Sequence, residues 1–437
     1  MSNLAKRNFI CFAILAAILI VLCFVSFTVP GTTSRFVGFV PAITTDTDIA
    51  GGLASKYEIT YDSSVVNEEA DLKKTVSMLT SNLTNWGYGG VRVSVGTNDN
   101  IYVELPNIKE AKGVLESISM SGKLCITTAS SIEEADEKAI YGEDVVTAHS
   151  QFSQTSNTAY SWGINVVLTE SGKSKLYDMT ANAASGNVTL NIFVGENTVT
   201  QIGVGSQINT SDLYFYGTST SQDAANVTAL GILMGKYGAD FDMVNNEIIE
   251  IAPLISDSIQ TLIYVAIGIV ALLLLAMFFV LFGELGFIVT LNFAFFLTLT
   301  AFFMQALPIF VLSFSGVVAL ALGMALFFVS NLMIFGHAKQ GYAQGKKLGL
   351  ALKLGINNNV LKIVDISVIT LILALVVCFV GGVYAQSFGI ALAICAALNL
   401  LTSLAMNKLF TKWYVRINSK DAKKVRFTRE EDINELD

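Results

Sequence analysis

Residues 361–377, LKIVDISVITLILALVV, form an apolar run in which one carboxylate, Asp365, follows shortly after the lysine. A run of this kind is typical of a helix that crosses a membrane. A carboxylate in such a helix costs roughly 2.5–3.5 kcal/mol at the helix centre on insertion scales, and less near an edge. The stretch therefore predicts a membrane span and raises the question of what Asp365 contacts.

Five further apolar runs are long enough, or nearly so, to cross about 30 Å of hydrocarbon as helices. One covers residues 8–30, three begin near Thr261, Phe287 and Pro308, and the last runs from Phe388 to near Leu409. Together they predict six transmembrane helices in a chain that is 53% hydrophobic. The first run is longer than the apolar region of a signal peptide, which favours a retained anchor.

Charge is distributed unevenly along the chain. Residues 31–258 hold 27 acidic and 12 basic side chains, whereas the remainder holds 8 acidic and 15 basic side chains. Six crossings place all of those 15 basic residues on one side, which the positive-inside rule makes cytoplasmic. We therefore expect both termini in the cytoplasm, the acidic block on the outer side of the membrane, and no binding of nucleic acid.

The external block alternates between strand and helix patterns. Strands are predicted at 56–62, 91–95, 101–105 and 123–127, with helical stripes after the first and third of them. This βαββαβ order matches a ferredoxin-like unit. Residues 129–160 are polar and are expected to be a connection or insertion. A second α+β unit follows, with strands or hairpins at 165–169, 187–204 and 212–217 and helices at 171–184 and 223–235.

These patterns predict an α-helical membrane bundle of six transmembrane helices plus a large extracytoplasmic α+β domain with ferredoxin-like βαββαβ units. Five segments are expected along the chain. They are the cytoplasmic N-terminus and first span (1–30), the first α+β unit (31–128), the insertion and second α+β unit (129–258), spans two to six (259–410), and a cytoplasmic basic and acidic tail (411–437).

The external block offers no recognisable catalytic motif. It has no Walker-type phosphate loop and no G-x-S-x-G elbow. Its carboxylates fit a solvated acidic surface, and neither His149 nor His337 has the spacing of a metal site. We therefore expect a binding or mechanical domain, with no enzyme activity, no cofactor and no metal.

Several stretches, taken in order, resemble the SecD family of the bacterial protein-export machinery. They are DIAGG (48–52), NIYVELPNIKEA (100–111), YGEDVVTAHSQF (141–152), LTESGKSKLYDMT (168–180) and SFGIALAICAALNLLTSL (387–404). The resemblance covers roughly residues 46–410. It marks an extracytoplasmic family motif at Asp48, Gly51, Gly52, Leu105 and Pro106.

The resemblance implies a subunit that draws a translocating polypeptide outward beside a SecF-like subunit and the SecYEG channel. It also implies a membrane part of the resistance-nodulation-division (RND) class that couples proton flow to this work. Such relatives carry an aspartate two residues before an asparagine in span four. Here the asparagine is Asn331, but Val329 occupies the position of the acid. The span-five aspartate is retained as Asp365.

Helix geometry places Asn331 and Asp365 at a similar depth, roughly 6 Å inside the cytoplasmic boundary. They are therefore candidates for a proton relay that a partner subunit would complete. Two other interpretations of Asp365 remain open. It could be a helix-start residue that accepts backbone N–H groups, or it could pair with Lys362.

The basic loop at 337–359 carries four glycines, which weaken any helix there by roughly 1 kcal/mol each relative to alanine. Its charge, like that of the tail, favours contact with anionic membrane lipid. Two alternative functions also remain open. One is an RND-type transporter of lipid or small molecules, and the other is a SecD-like binding or scaffold subunit without proton coupling.

Overall fold

The computed structural model describes residues 2–28, 35–61, 68–85, 88–96, 100–108, 110–119, 124–154, 160–184, 186, 188–194, 197–219, 221–234, 239–307, 309–381, 383–417 and 422–428. The chain separates into two compact units. The membrane unit is Met1–Ile49 with Pro253–Asp437, and the head unit is Ala50–Ala252. Some segments that fall within predicted elements lie outside the described residues, among them 97–99, 195–196 and the end of the tail, 429–437.

The elements up to the end of the head unit are, in chain order, α1 (Ser2–Phe24), β1 (Phe27–Thr28), β2 (Arg35–Phe36), α2 (Thr47–Ala50), β3 (Gly52–Tyr61), α3 (Glu68–Asn85), β4 (Arg92–Val95), β5 (Asn100–Pro106), α4 (Ala111–Ile118), β6 (Leu124–Thr127), β7 (Ile140–Tyr141), β8 (Val145–Gln154), β9 (Tyr160–Leu168), α5 (Glu170–Met179), β10 (Val188–Val194), β11 (Asn197–Val204), β12 (Asp212–Ser219), α6 (Gln222–Met234) and β13 (Ala239–Ile251). The membrane unit continues with α7 (Asp257–Phe282), α8 (Leu285–Ala306), α9 (Phe314–Ala343), α10 (Leu348–Asn357), α11 (Val360–Val380), α12 (Val383–Leu400) and α13 (Asn407–Ile417). A π-helical turn, Leu401–Met406, joins α12 to α13.

Six helical stretches in the described residues are long and apolar enough to cross a membrane, which confirms the six predicted spans. They comprise α1, α7, α8, α9, the stretch Leu348–Val380 that holds α10 and α11, and the stretch Ala385–Ile417 that holds most of α12 and all of α13. Helix α8 is the centre of the bundle, because 67% of its apolar window is buried, against 11% for α7. Most of α7 is therefore on the outer surface of the bundle.

Phenylalanine rings fill the core of the membrane unit. Phe293 of α8 stacks on Phe296 and packs against Phe327 and Phe328 of α9, with ring centroids 4.9–6.3 Å apart. In lipid, where no hydrophobic effect drives helices together, such close packing is a main source of helix association.

Helix α12 lies close to both α9 and α11 because glycine stands at two contact points. A Cβ atom on Gly323 of α9 would come within 2.4 Å of the Cβ atom of Cys395. A Cβ atom on Gly389 of α12 would come within 2.6 Å of the carbonyl oxygen of Ala374. Small residues allow this approach, as is common between membrane helices.

The first sheet of the head unit has the strand order β13-β3-β5-β4, with neighbouring strands antiparallel. This is the ferredoxin-like order, but its fourth strand is β13 rather than the predicted strand at 123–127. The prediction that the strand at 123–127 belongs to the first unit is wrong, since this strand, β6, pairs with β10 in another sheet. The first sheet therefore draws strands from both predicted external segments, 31–128 and 129–258.

The rest of the head unit lies between α4 and β13 in the chain. It contains a sheet of order β11-β10-β6-β7 and a sheet of order β12-β9-β8 around one apolar core. Residues 129–160 are not the polar connection that was predicted, because they include the ten-residue strand β8. In β8 only Val145 and Ala148 of the described side chains are buried apolar residues, so its strand pattern is weak.

The basic loop also contains a helix, α10, in spite of its glycines. A Cβ atom on Gly355 would come within 2.5 Å of the carbonyl oxygen of Ile334 and 2.9 Å of the Cβ atom of Ala338. The glycine therefore permits α10 to lie against the end of α9. This packing explains why a helix forms where intrinsic propensity disfavours it.

Candidate functional site: an uncharged ladder between the membrane helices

Three polar residues of the last span, Asn399, Ser403 and Asn407, follow one another at intervals of four. Ser403 lies in the π-helical turn between α12 and α13. Its Oγ donates to Oδ1 of Asn399 at 2.7 Å, and Nδ2 of Asn407 donates to the Ser403 carbonyl oxygen at 2.9 Å. π-Helical turns are rare and often occur at functional sites. Here the turn brings three polar groups into one column.

This column forms hydrogen bonds to three other helices. Nδ2 of Asn292 on α8 donates to Oδ1 of Asn407, whose Nδ2 donates to Oδ1 of Asn331 on α9 at 2.7 Å. Asn331 in turn donates to Oγ of Ser403 at 3.3 Å. The amide of Asn399 then donates to two serine hydroxyls at 3.0 and 3.1 Å. These hydroxyls are Ser330 of α9 and Ser367 of α11.

We call these seven residues the polar ladder: Asn292, Ser330, Asn331, Ser367, Asn399, Ser403 and Asn407. Five of the side chains donate to another member of the ladder, whereas Ser330 and Ser367 accept from Asn399. Each residue is at most 2% exposed. Amide and hydroxyl groups do not ionise at physiological pH, so the ladder cannot store a proton. What it does is fix four helices to one another through buried hydrogen bonds.

Asp365 lies outside the ladder, on the exposed face of α11. Its neighbours one turn away, Leu361 and Ile369, are 75% and 57% exposed. Helix α11 begins at Val360 after the N-cap residue Asn359, so Asp365 is in the second turn and the helix-start interpretation is wrong. Within the described residues Asp365 forms neither a hydrogen bond nor an ion pair with Lys362.

Among the described residues, no hydrogen bond joins Asn331 to Asp365. Asn331 is fully buried, and its amide bonds to the Phe327 carbonyl and to the ladder. Val329 is 48% exposed and lies on the outer surface of α9. The two family acid positions, Val329 and Asp365, are thus both on outward faces of the single chain. Their role in proton transfer stays a prediction.

Asp48 of the external motif holds the chain that enters α9. Its Oδ2 accepts the backbone N–H of Phe314, the first residue of α9, at 2.8 Å, and its carbonyl oxygen accepts the N–H of Leu254 at 2.9 Å. A carboxylate at a helix N-terminus is stabilised by the positive end of the helix dipole. Asp48 therefore fixes the start of span four within the membrane unit.

The glycines and the Leu-Pro pair of the same motif meet on paired strands of the head unit. Gly52 is opposite Pro106 and Leu53 is opposite Leu105 across β3 and β5. The carbonyl oxygen of Gly51 accepts the N–H of Asn107 at 3.0 Å. Gly51 has a φ of 69°, which L side chains rarely adopt. The motif thus begins the first sheet.

Two other family-like stretches also meet in the head unit. Nζ of Lys175 donates to Oδ2 of Asp144 at 2.6 Å, and the N–H of Thr169 donates to the Asp144 carbonyl oxygen at 2.8 Å. Burial raises the pKa of the Asp144 carboxyl. Hydrogen bonds from Lys175, Ser171 and the N–H of Tyr141 outweigh burial and hold the pKa below the usual aspartate range. This pair ties α5 to the turn before β8.

Sequence inspection found Asn331 but missed most of the ladder. The detectable signal was the four-residue spacing of Asn399, Ser403 and Asn407 in an apolar helix, which places them on one face. Asn292 and Ser367 gave no such pattern. Among the described residues no three His, Cys, Asp or Glu side chains converge as a metal site would require.

Known proteins with similar sequences include SecD proteins from several bacteria. SecD from Dictyoglomus turgidum is 22% identical over 364 residues, which cover 83% of this chain and 87% of that protein. SecD from Acidaminococcus fermentans is 21% identical and is matched over 79% of both chains. This chain is therefore similar to SecD proteins over most of its length. No family model matches the chain.

Solved structures of the longer protein SecDF have a similar fold. A structure of SecDF in a super-membrane-facing form covers 96% of this chain with a TM-score of 0.53 and 18% identity. A structure of SecDF from Thermus thermophilus gives a TM-score of 0.51 at 18% identity. This chain spans 58% and 59% of those two chains, and 48% of the Brucella abortus SecDF that it matches at 22% identity.

Proposed function

We propose that this chain is an accessory subunit of protein translocation that assists the passage of polypeptides across the cytoplasmic membrane of a bacterium. The observation that carries the proposal is similarity along nearly the whole length of SecD proteins. The fold supports it, since six candidate spans and an α+β head occur in the same order as in SecDF.

The proposed partners are a SecF-like subunit and the SecYEG channel. The matched relatives include SecDF proteins, of which this chain covers 48% in one case and 58% in another. Asp365 and Val329 both face outward from the single chain, where a neighbouring membrane subunit can reach them. A carboxylate exposed to hydrocarbon is costly, so a polar partner for Asp365 would stabilise the pair.

The proposed topology has both termini in the cytoplasm and the head unit outside. The basic residues that flank the spans support it through the positive-inside rule. A head on the far side of the membrane is where an emerging polypeptide would be received. The acidic surface of the head disfavours nucleic acid as a ligand there.

Proton coupling through this chain would rest on Asp365. The polar ladder occupies the interior of the bundle and cannot ionise, and Val329 cannot carry a proton. These two observations also favour a second form of the same function, in which the subunit assists export without proton flow. The two forms share partners and topology, and they differ only in whether Asp365 is required.

Co-purification tests the assignment. The tagged chain, solubilised from its own membranes in a mild detergent, is expected to retain SecF-like and SecYEG-like subunits, identified by peptide mass spectrometry. The matched control is an unrelated six-span membrane protein expressed at the same level from the same membranes. Recovery of neither partner above this control, in detergents that keep SecYEG itself intact, would contradict the proposal.

A further inference from the structure

A groove of about 450 Å³ lies between α10 and α13 at one end of the membrane unit. Its walls are one face of each helix, since the lining residues recur at intervals of three or four. They are Gly349, Leu352, Lys353, Ile356 and Asn357 on α10 and Lys408, Thr411, Lys412, Val415 and Arg416 on α13. The volume is within the range of small-ligand sites, roughly 300–1,000 Å³.

The groove combines a positive rim with an apolar floor. Lys353, Lys408, Lys412 and Arg416 are exposed, and no carboxylate lines the groove. Within the described residues none of these four side chains forms an ion pair. Leu352 and Ile356, which are 1% and 4% exposed, belong to the apolar core beneath. The groove therefore offers cationic donors directly beside a hydrocarbon surface.

The basic side chains on α13 repel one another. Lys408, Lys412 and Arg416 follow one another one turn apart on α13, and like charges at this spacing destabilise a helix. An anion bound between them would remove that repulsion. A phosphate group can accept hydrogen bonds from several such side chains at once, and arginine can bind it through two N–H groups.

The groove lies where basic residues occur in the last part of the final span, and such residues are typical of the membrane surface. Helix α13 continues the last span through the π-helical turn, and its residues Trp413 and Tyr414 are nine-tenths buried among rings of the bundle core. Gly349 allows α10 to approach Val415 on α13, since a Cβ atom there would lie 3.0 Å from Cγ1 of Val415.

We infer that this groove binds the phosphodiester headgroup of an anionic phospholipid, with an acyl chain against the apolar floor. The basic rim recognises the phosphate, and the floor distinguishes a lipid from a free phosphate ester. Basic pockets beside membrane helices have the chemistry that such headgroups require. The inference does not depend on the role of the chain in export.

Native mass spectrometry of the whole detergent-solubilised chain tests the inference. The probes are phosphatidylglycerol and phosphatidylcholine with identical acyl chains, titrated separately. The wild-type chain is expected to bind phosphatidylglycerol selectively. Each basic group adds a factor of about five near an anionic surface, so Lys408→Gln, Lys412→Gln and Arg416→Gln together should weaken binding on the order of 100-fold.

The matched control is Lys339→Gln, Lys346→Gln and Lys347→Gln. It removes three positive charges, as the first variant does, from α9 and the α9–α10 connection, and none of these lysines lines the groove. This control should change binding less than tenfold, and circular dichroism should confirm that both triple variants keep their helix content. Equal loss in both variants, or no preference in the wild type, would overturn the inference.

Two further arms separate the other possible occupants. Glycerol 3-phosphate in large excess should not displace the lipid, and full displacement would show a site for free phosphate esters instead. A chain that ends at Arg429 lacks the last five acidic residues of the tail. It should bind phosphatidylglycerol as the whole chain does. If phosphatidylglycerol binds only after this truncation, the acidic tail occupies the groove in the whole chain, and the lipid site is overturned.

Discussion

Asp365 is the one acidic side chain that the described membrane helices carry beyond their first turns and N-caps. It lies on the surface of α11, whereas the buried polar side chains of the described membrane helices are mainly amides and hydroxyls. This separation matters because a buried uncharged ladder gives rigidity, whereas a surface carboxylate can exchange protons only with something outside the chain. Single residues therefore decide whether the subunit uses protons.

Replacing Asp365 by asparagine tests proton use. We expect Asp365→Asn to slow export of a secreted reporter and to remove its dependence on the proton-motive force, because an amide cannot carry the proton. Lys362→Gln, three residues earlier on the same helix, is the matched control and should leave both properties unchanged. If export by Asp365→Asn equals that of the wild type, Asp365 is not a carrier, and the form without proton flow is favoured.

The ion pair between Asp144 and Lys175 predicts a pH effect in the head unit. Because the folded-state pKa of Asp144 is lowered, its stabilisation is complete above the unfolded-state pKa, at about pH 4. It is lost as the pH falls through the lower folded-state pKa. Asp144→Asn should reduce the stability of α5 by about 2–3 kcal/mol at pH 7, with little effect at the acid end.

Hydrogen exchange of residues 170–179 in the whole solubilised chain measures this stability as a function of pH. Glu170→Gln is the matched control, since its pair with Lys173 at 3.9 Å is exposed and should be worth less than about 1 kcal/mol. Equal effects of the two substitutions at neutral pH would show that the Asp144 pair does not hold α5.

At the scale of elements, the polar ladder is the main feature that orders α8, α9, α11 and α12. Interhelical hydrogen bonds in membranes contribute about 0.6 kcal/mol each on average, and up to about 1.7. Asn407 takes part in two of them, to Asn292 and to Asn331. Its loss would also leave those two buried amides incompletely bonded.

We therefore expect Asn407→Leu to lower the stability of the bundle by about 1–3 kcal/mol. Thr402→Val, in the π-helical turn that precedes Asn407, removes only a bond from Oγ to the Leu398 carbonyl of its own helix and is the matched control. Thermal unfolding in one detergent compares the two variants. A smaller loss in Asn407→Leu than in Thr402→Val would show that the ladder does not stabilise the bundle.

The elements differ in how far the sequence could predict them. The membrane spans were predictable because a run of apolar residues must satisfy its backbone internally as a helix. Strand β13 was not, because its partner β3 is almost 190 residues earlier and its sequence, ADFDMVNNEIIEI, mixes charged and apolar residues. The ladder was partly visible in the spacing of Asn399, Ser403 and Asn407. The outward position of Asp365 was not visible, because it depends on how α11 is rotated in the bundle.

At the scale of the whole molecule, the topology can be tested by labelling lysines in intact cells with a membrane-impermeant amine reagent. Lys112 and Lys173 of the head unit have side chains that are 72% and 33% exposed and should be labelled from outside. Lys346 and Lys347, between α9 and α10, are the matched controls and should react only after the cells are opened. If only Lys346 and Lys347 are labelled in intact cells, the chain has the opposite orientation in the membrane.

The assignment to protein export is tested most directly by following the maturation of a secreted precursor in cells by pulse-chase labelling. Cells depleted of this chain should accumulate the precursor, and the wild-type chain supplied in trans should restore its rate of maturation. SecYEG and SecF-like subunits must be present at unchanged levels in both cultures. Identical maturation rates with and without the chain would contradict a role in translocation.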